Sequence, residues 1–338
     1  MPETTRPTHP AAAASGAGAA AGAPVVVVVG GPTASGKSAV ALHLAEALGG
    51  TVVNGDSMQV YRELRVLTAR PGEEEERAVP HRLYGVLPAR ERCSAARWRD
   101  MALEAIDGSA AAGRLPVVVG GTGLYLRTLM EGIAEIPAIP EPVRAEARAR
   151  HAALGGPAFH AELAARDPAM AARIFPGDTQ RLIRAWEVLS ATGRSLAAWQ
   201  QDGQQDGQQD CGAARPRFLQ VLVLPPRHVL YARCDRRFLT MLERGALDEV
   251  RALDALDLDP DLPILKALGV PELRAHLRGE LPLDAAVAAA QMQTRRYAKR
   301  QTTWFRNQWS HAHICHVEGE QESDKAVREI NTILREIR

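Results

Sequence analysis

Apolar positions fall along this chain in two rhythms, and the change from one to the other divides it. Val25 to Val29 are consecutive valines. A short run with no polar alternation predicts a strand covered on both faces, as in a parallel sheet. Thr51 to Val53, the run LPVVV leading to Gly120, and Phe218 to Leu224 repeat that signal at wide intervals. Between them the rhythm is helical. Ala39 to Leu48 predicts one helix, and Ser94 to about Ala112 another with Ser94 as its N-cap. From Ile136 to about Gln200 helical patterns continue with no strand among them. They come in short pieces parted by Gly155-Gly156, Asp167-Pro168 and Pro176-Gly177. A strand recovered after such a stretch predicts an insertion: the chain leaves an α/β sheet, builds a helical module and returns. Past the last strand, Leu239, Leu242, Ala246, Val250 and Leu253 recur at helical spacing and predict a helix packed on the sheet.

Three segments carry neither rhythm. Residues 1–23, mostly Ala, Gly, Pro and Thr, lack the Leu/Val run of a signal peptide and read as a disordered tail. QQDGQQDGQQD, Gln200 to Asp210, cannot bury a core, so residues 201–213 read as a flexible linker. Arg70 to Arg92, rich in Pro and charge, reads as an excursion outside the sheet. The organisation expected is therefore a core over 24–137 and 214–317, a helical insertion over 138–200, and a C-terminal tail over 318–338. No run is long enough to span a membrane. The formal net charge of +1 on 338 residues sets up no global field, so any basic surface must be local. Four cysteines without a C-x-x-C pair argue against a disulfide framework or a cysteine-rich zinc site and fit a reducing cytoplasm. With no apolar seam calling for a dimer, a monomer is expected.

The chemistry gathers where strands end. GPTASGKS (Gly31, Pro32, Thr33, Ala34, Ser35, Gly36, Lys37, Ser38) lies between a buried strand and a helix. That context makes G-x-x-x-x-G-K-[ST] a phosphate cradle: glycines let N–H groups turn inward, Lys37 adds a charge, and the Ser38 hydroxyl can ligate Mg2+. The loop specifies a phosphorylated ligand without specifying ATP. Asp56, delivered to the same edge by the second strand, can ligate that metal or take a proton from a nucleophile. GGTG, Gly120 to Gly123, is either a tight strand-to-helix turn or a second close approach to the ligand, with the Thr122 hydroxyl as donor. A motor-type NTPase usually ends such a strand with an acid, and glycines stand here instead. Between Asp284 and Glu318 there is no acid, yet Arg295, Arg296, Lys299, Arg300 and Arg306 occur there with Tyr297, Trp304, Phe305 and Trp309 interleaved. Guanidinium groups and aromatics on one helix suit nucleic acid; the alternative is a basic amphipathic helix whose aromatics pack inward. QRLIR, Gln180 to Arg184, opens a helix of the insertion where N–H groups can meet a phosphate. Arg233 and Arg237 are weaker candidates for anion contacts. HAHICH, His311 to His316, lacks a second ligand group at zinc spacing.

Taken together, GPTASGKS, DSMQVYR, VPHRLYG, VVVGGTGLY, DTQRLIRA and TRRYAKRQTTWFRN, in this order from about residue 25 to 310, resemble the tRNA dimethylallyltransferase (tRNA isopentenyltransferase) family. The resemblance implies a P-loop-type α/β core with a helical insertion. It also implies a Mg2+-assisted reaction in which the exocyclic amine of the adenosine beside the anticodon attacks dimethylallyl diphosphate and pyrophosphate leaves. On that likeness the cradle holds the prenyl diphosphate, Asp56 is the general base, and Thr122, Arg144 and Arg233 assist the diphosphate or the reacting centre. Asp56, Ser57, Met58 and Gln59 are implied to touch tRNA. So are Gln180, Arg181, Leu182, Ile183 and Arg184, and Lys299, Arg300, Gln301, Trp304 and Arg306. The chain departs from the family pattern at Glu63, Arg65 and Leu67, where Gly, Asp and Gly are expected, and at Val270-Pro271, where Tyr-Arg is expected. Two other classes share parts of the signal. A small-molecule kinase would use the cradle and Asp56, and a non-enzymatic RNA-binding module would use the basic helix alone.

Overall fold

The computed structural model describes residues 23–206 and 216–337. Residues 1–22 of the expected tail, 207–215, which include residues 207–213 of the expected linker, and residue 338 lie outside these. The chain opens with β1 (Val25–Gly30), α1 (Lys37–Leu48), β2 (Gly50–Asn54), α2 (Glu73–Ala78), β3 (His81–Arg82), α3 (Ala95–Ala111), β4 (Leu115–Gly120) and α4 (Gly123–Glu131). The insertion is α5 (Glu141–Arg166), α6 (Pro168–Ala171), α7 (Thr179–Thr192) and α8 (Leu196–Asp206). The chain returns through β5 (Arg217–Val223), α9 (Arg227–Glu243), α10 (Ala246–Asp254), α11 (Val270–Leu277), α12 (Leu283–Gln308), β6 (His313–Cys315) and α13 (Glu320–Ile337).

The strands form one parallel sheet in the order β3-β2-β4-β1-β5-β6. The valine run lies at its centre: β1 pairs with β4 from Val27↔Val117 to Gly30↔Gly120 and with β5 from Val25↔Arg217 to Gly30↔Leu222. Side chains alternate across a strand, so Val26 and Val28 enter one core and Val27 and Val29 the other. The first core is closed by Trp98, Leu126, Phe238 and Phe305 from α3, α4, α9 and α12; the second by Val40 and Leu44 of α1 and by Ile330 and Leu334 of α13. The insertion packs a core of its own around Phe159, Leu163, Leu182 and Trp186. This arrangement lines up the carboxyl ends of β2, β4, β1 and β5, where an open parallel sheet gathers its ligands. Among the described residues no helix is long and apolar enough to cross a membrane.

Several sequence expectations need correction. The stretch read as a C-terminal tail is α13, whose Ala326, Ile330 and Leu334 are buried against α1 despite the charge around them. Arg70 to Arg92 is not outside the sheet: β3 pairs with β2 through Val52↔His81 and Val53↔Arg82, since backbone pairing at an edge needs no apolar side chain. The predicted long helix breaks at Gly245 (φ 94°), and Leu239 points to solvent while Leu230, Cys234, Phe238 and Met241 form the buried stripe. The first part of the glutamine repeat is helical, because Ala and Gln propagate α8 as far as Asp206. In the insertion the break expected at Gly155 is present: its non-helical backbone (φ 74°, ψ 164°) parts α5 into two helical segments across a kink. His313 lies on β6 facing Glu329 at 3.2 Å, and His316 bonds the Leu224 carbonyl at 2.9 Å.

Because Ile330 is fully buried between α13 and α1, Ile330→Ala is expected to lower unfolding free energy by about 2 to 5 kcal/mol, as large-to-small core changes do. Urea denaturation checks this; an unchanged midpoint would mean that α13 is not part of the core.

Candidate active site

The loop after β1 turns into α1 at Gly36, whose left-handed backbone (φ 94°) a side chain would strain. Lys37 follows at once, and its ammonium is drawn back under the loop to donate to the Pro32 carbonyl at 3.3 Å. Its N–H donates to Ser35 Oγ at 3.3 Å, while Ser38 stands exposed on the first helical turn. Across the strand ends, β2 releases the chain into a turn held by Asn54. The Asn54 side chain accepts the Asp56 N–H at 2.8 Å and donates to the carbonyls of Asp56 and Leu83. Asp56 Oδ1 accepts the Met58 N–H at 3.0 Å, so one carboxylate oxygen fixes the turn and the other is left to the site. Ser57 fastens this turn to the GGTG loop: its N–H donates to Thr122 Oγ1 at 2.9 Å, and the two hydroxyls lie 3.2 Å apart.

Helix α12 roofs both loops. Gln301 is buried; its Oε1 accepts the Thr33 N–H at 2.8 Å and its Nε2 donates to the Gly121 carbonyl at 2.8 Å. A Cβ on Gly121 would come within 2.4 Å of Gln301 Nε2, and one on Gly123 within 2.4 Å of the Trp304 ring. GGTG is therefore a seat for α12 as well as a turn. The aromatics resolve in favour of the packing alternative: Phe305 and Trp309 are core residues, Trp304 is half-buried, and Tyr297 lies beside Thr122 and Asp56. The basic side chains Arg296, Lys299, Arg300 and Arg306 occupy the exposed face instead. Arg295 is engaged by Asp235. Gln301 thus faces the two loops, Phe305 and Trp309 face the core, and the cations face outward.

The charges centre on Lys37. Burial lowers its pKa to about 8, the Asp56 carboxylate raises it, and Arg237 lowers it further. Arg237 is half-buried; burial of its guanidinium lowers its pKa and Asp56 opposes this. Lys37, Arg237 and Asp56 therefore act on one another around a common space, two cations against one carboxylate. Tyr297 is pushed up by burial and then by Asp56. Arg237 was the weaker reading from sequence, yet one helical turn from Arg233 it shares a face with it. Arg233 itself straps the loop in place, donating to the carbonyls of Ser35 at 3.2 Å, Val317 at 3.1 Å and Glu318 at 2.8 Å.

The remaining candidates lie apart. Arg144 stands at the base of the insertion beside Glu141 and Arg92, and among the described residues no hydrogen bond or ion pair joins it to Asp56 or the loop. Asp178 caps α7 by accepting the Arg181 N–H at 3.2 Å. Gln180, Arg181 and Arg184 reach the surface, the last two paired with Asp178 and Glu187, and Ile183 is half-buried. Leu182 is fully buried in the insertion's core, so its side chain cannot meet a ligand. Among the described residues no three His, Cys, Asp or Glu side chains group as a metal site.

A ligand anion favours charged Lys37, so binding raises the lysine's pKa above its free value of about 8. Affinity for inorganic pyrophosphate is then expected to be level below that pH. Above it, affinity should fall by up to about tenfold per pH unit, once the ligand's own ionisation is removed by comparison with Lys37→Met. Isothermal titration from pH 6 to 10 checks this, and parallel profiles for the two proteins would show that Lys37 carries no charge to the anion.

With this geometry in place, comparison with known proteins is specific. The family model described as IPP transferase matches residues 59–308, and that described as isopentenyl transferase matches 24–87. A tRNA dimethylallyltransferase of Rhodospirillum centenum is 66% identical over 283 residues, covering 83% of this chain and 88% of its own. One from Paramagnetospirillum magneticum is 55% identical over 280 residues, covering 83% and 87%. The crystal structure of the full-length tRNA isopentenylpyrophosphate transferase of Bacillus halodurans matches with a TM-score of 0.66 at 33% identity, over 92% of this chain and 97% of that one. A eukaryotic dimethylallyltransferase acting on tRNA shares the fold, with a TM-score of 0.70 at 24% identity over 87% and 74%. A family model matching residues 59–308, the whole insertion included, and relatives this similar over four-fifths of the chain, leave one conclusion: the chain belongs to the tRNA dimethylallyltransferase family.

Proposed function

We propose that this enzyme transfers a dimethylallyl group from dimethylallyl diphosphate to the exocyclic amine of the adenosine beside the anticodon of tRNA. The observation that carries the reading is that the loop after β1, Asp56 and Thr122 share one space beneath α12, while the outer face of that helix beyond Asp284 is basic and free of acids. The diphosphate lies against the loop N–H groups with Lys37 and Arg237 as counter-charges. The adenine amine is a poor nucleophile, because its lone pair is delocalised into the ring. As its nitrogen bonds to the allylic carbon, the carbon–oxygen bond breaks and the diphosphate leaves with the electron pair. The uncommitted Asp56 oxygen receives the amine proton. Ser57 holds Thr122, and thereby the hydroxyl beside the reacting centre.

The exposed Ser38 hydroxyl and the Asp56 carboxylate are hard oxygen donors of the type Mg2+ takes together with phosphate oxygens, so the residues fit that ion. When bound, Mg2+ supplies neutralisation of the leaving diphosphate. The tRNA is met by the turn at Asp56 to Gln59, by the α7 start at Gln180, Arg181 and Arg184, and by Lys299, Arg300 and Arg306, with Trp304 at the roof's edge. The free cysteines Cys93, Cys234 and Cys315 agree with a cytoplasmic setting, and the reading is of a monomer.

Incubation with unmodified tRNA and dimethylallyl diphosphate, followed by digestion and mass analysis of the nucleosides, tests the reading. A prenylated adenosine is expected, and its absence would favour a kinase or a binding protein. Asp56→Asn keeps the size and removes the proton acceptor; the single-turnover rate is expected to fall by about 10²- to 10⁴-fold with tRNA affinity nearly unchanged. Rescue of that rate by raised Mg2+ would point instead to a metal role. Neutralising Arg296, Lys299 and Arg300 together is expected to flatten the salt dependence of tRNA binding by about 0.7 to 0.9 of a log unit per lost phosphate contact. A retained slope would make the outer face of α12 a solvated surface only.

A further inference from the structure

The loop that follows the Asp56 turn ends on an unusual grip. Glu249, on α10, points its carboxylate at three successive backbone N–H groups. Its Oε1 accepts from Arg65 at 2.6 Å and Val66 at 2.7 Å, and its Oε2 from Leu67 at 2.9 Å. Consecutive N–H groups converging on one point form a concave anion nest, and bonds from it to a carboxylate are of the strong, charge-assisted kind. The anchor itself is rigid, because Ala246, Val250 and Leu253 bury α10 in the core. Leu67 is buried as well, close to Gly269 at the start of α11.

What the nest holds is the point of interest. The next carbonyl along, Thr68, accepts from two directions. Gln59 Nε2 donates to it at 2.9 Å and to the Ala69 carbonyl at 3.0 Å, and Arg237 Nη2 donates to it at 3.4 Å. Gln59 belongs to the Asp56 turn, and Arg237 is the enclosed cation facing Asp56 and Lys37. One carboxylate, in no contact with the phosphate loop, therefore fixes the carbonyl on which both the turn and the cation rest.

We propose that Glu249 is a positioning residue for the transfer: by gripping the Arg65–Leu67 backbone it sets Arg237 and the Asp56–Gln59 turn against the phosphate cradle. The proposal rests on the prenyl-transfer reading above. Glu249→Gln keeps the shape of the side chain, but it replaces one acceptor oxygen by an amino group that opposes the N–H groups of the nest. Displacing a catalytic constellation by about 1 Å can cost about 10²-fold, so the single-turnover rate per folded molecule, at saturating substrates, is expected to drop about 10- to 100-fold. A role in packing alone would lower the melting temperature and the folded fraction and leave that rate within twofold.

The second readout is a double-mutant cycle with Arg237→Gln. If Glu249 acts through Arg237 and the turn it shares, the two losses do not multiply, and the double variant is at most about threefold slower than the slower single one. Multiplying losses, or a Glu249→Gln rate within twofold of the parent, would overturn the proposal. Should Glu249→Gln not fold, Glu249→Asp, which keeps the charge and shortens the reach, enters the same cycle with the same criteria. Parent protein that prenylates tRNA normally while Glu249→Gln does too removes only this inference; parent protein that forms no prenylated adenosine removes the functional reading beneath it.

Discussion

One buried amide holds the site together. Gln301 joins the Thr33 N–H to the Gly121 carbonyl, and these belong to loops that leave neighbouring strands of the sheet. A neutral side chain bonded at both its oxygen and its nitrogen can do this inside the protein without the desolvation penalty that an ion pair would bring. The bridge also explains the glycines beneath it. Any side chain on Gly121 or Gly123 would displace Gln301 or Trp304, so α12 could not settle on the sheet. The roof, the two loops and the space between them are thus one construction, and the cations of α12 are left on the face turned away from its seat.

The electrostatics follow from the same closure. Enclosing Lys37 and Arg237 beside Asp56 sets two cations against one carboxylate, and burial, the first cause of the lowered lysine and arginine, deprives both of water. Such a site is stabilised by an incoming anion more than by any internal partner, because desolvated charges interact strongly. No acid ends β4, so nothing on that strand competes for the anion's counter-charges. Arg233 tightens the arrangement from behind by tying the loop to the start of the C-terminal segment.

The parts legible in the sequence were those with a local cause. A valine run has one physical home, the middle of a parallel sheet, and a lysine-bearing glycine loop between strand and helix has one common use. The insertion was legible because strand signals vanish and then return. What escaped depends on distant partners. His81 and Arg82 form a strand only because β2 offers an unpaired edge, and no apolar pattern announces it. The inward turn of Phe305 and Trp309 was one of two readings, and the glycine seat that decides it comes from residues far away in sequence. Gln301 lay within a stretch read as RNA-facing, and only tertiary contact reveals that it faces the loops. For α13 the signal was present: Ala326, Ile330 and Leu334 fall four residues apart within a segment read only as a tail.

The central claim is that a nucleotide-type phosphate loop, roofed by α12 and lacking an acid after β4, is adapted to a prenyl diphosphate. Equilibrium titration with dimethylallyl diphosphate and with ATP, each with Mg2+ and each repeated on Lys37→Met, tests it most directly. The account expects saturable binding of dimethylallyl diphosphate that Lys37→Met abolishes, and no comparable binding of ATP. Tight, Lys37-dependent binding of ATP with none of the prenyl diphosphate would contradict it.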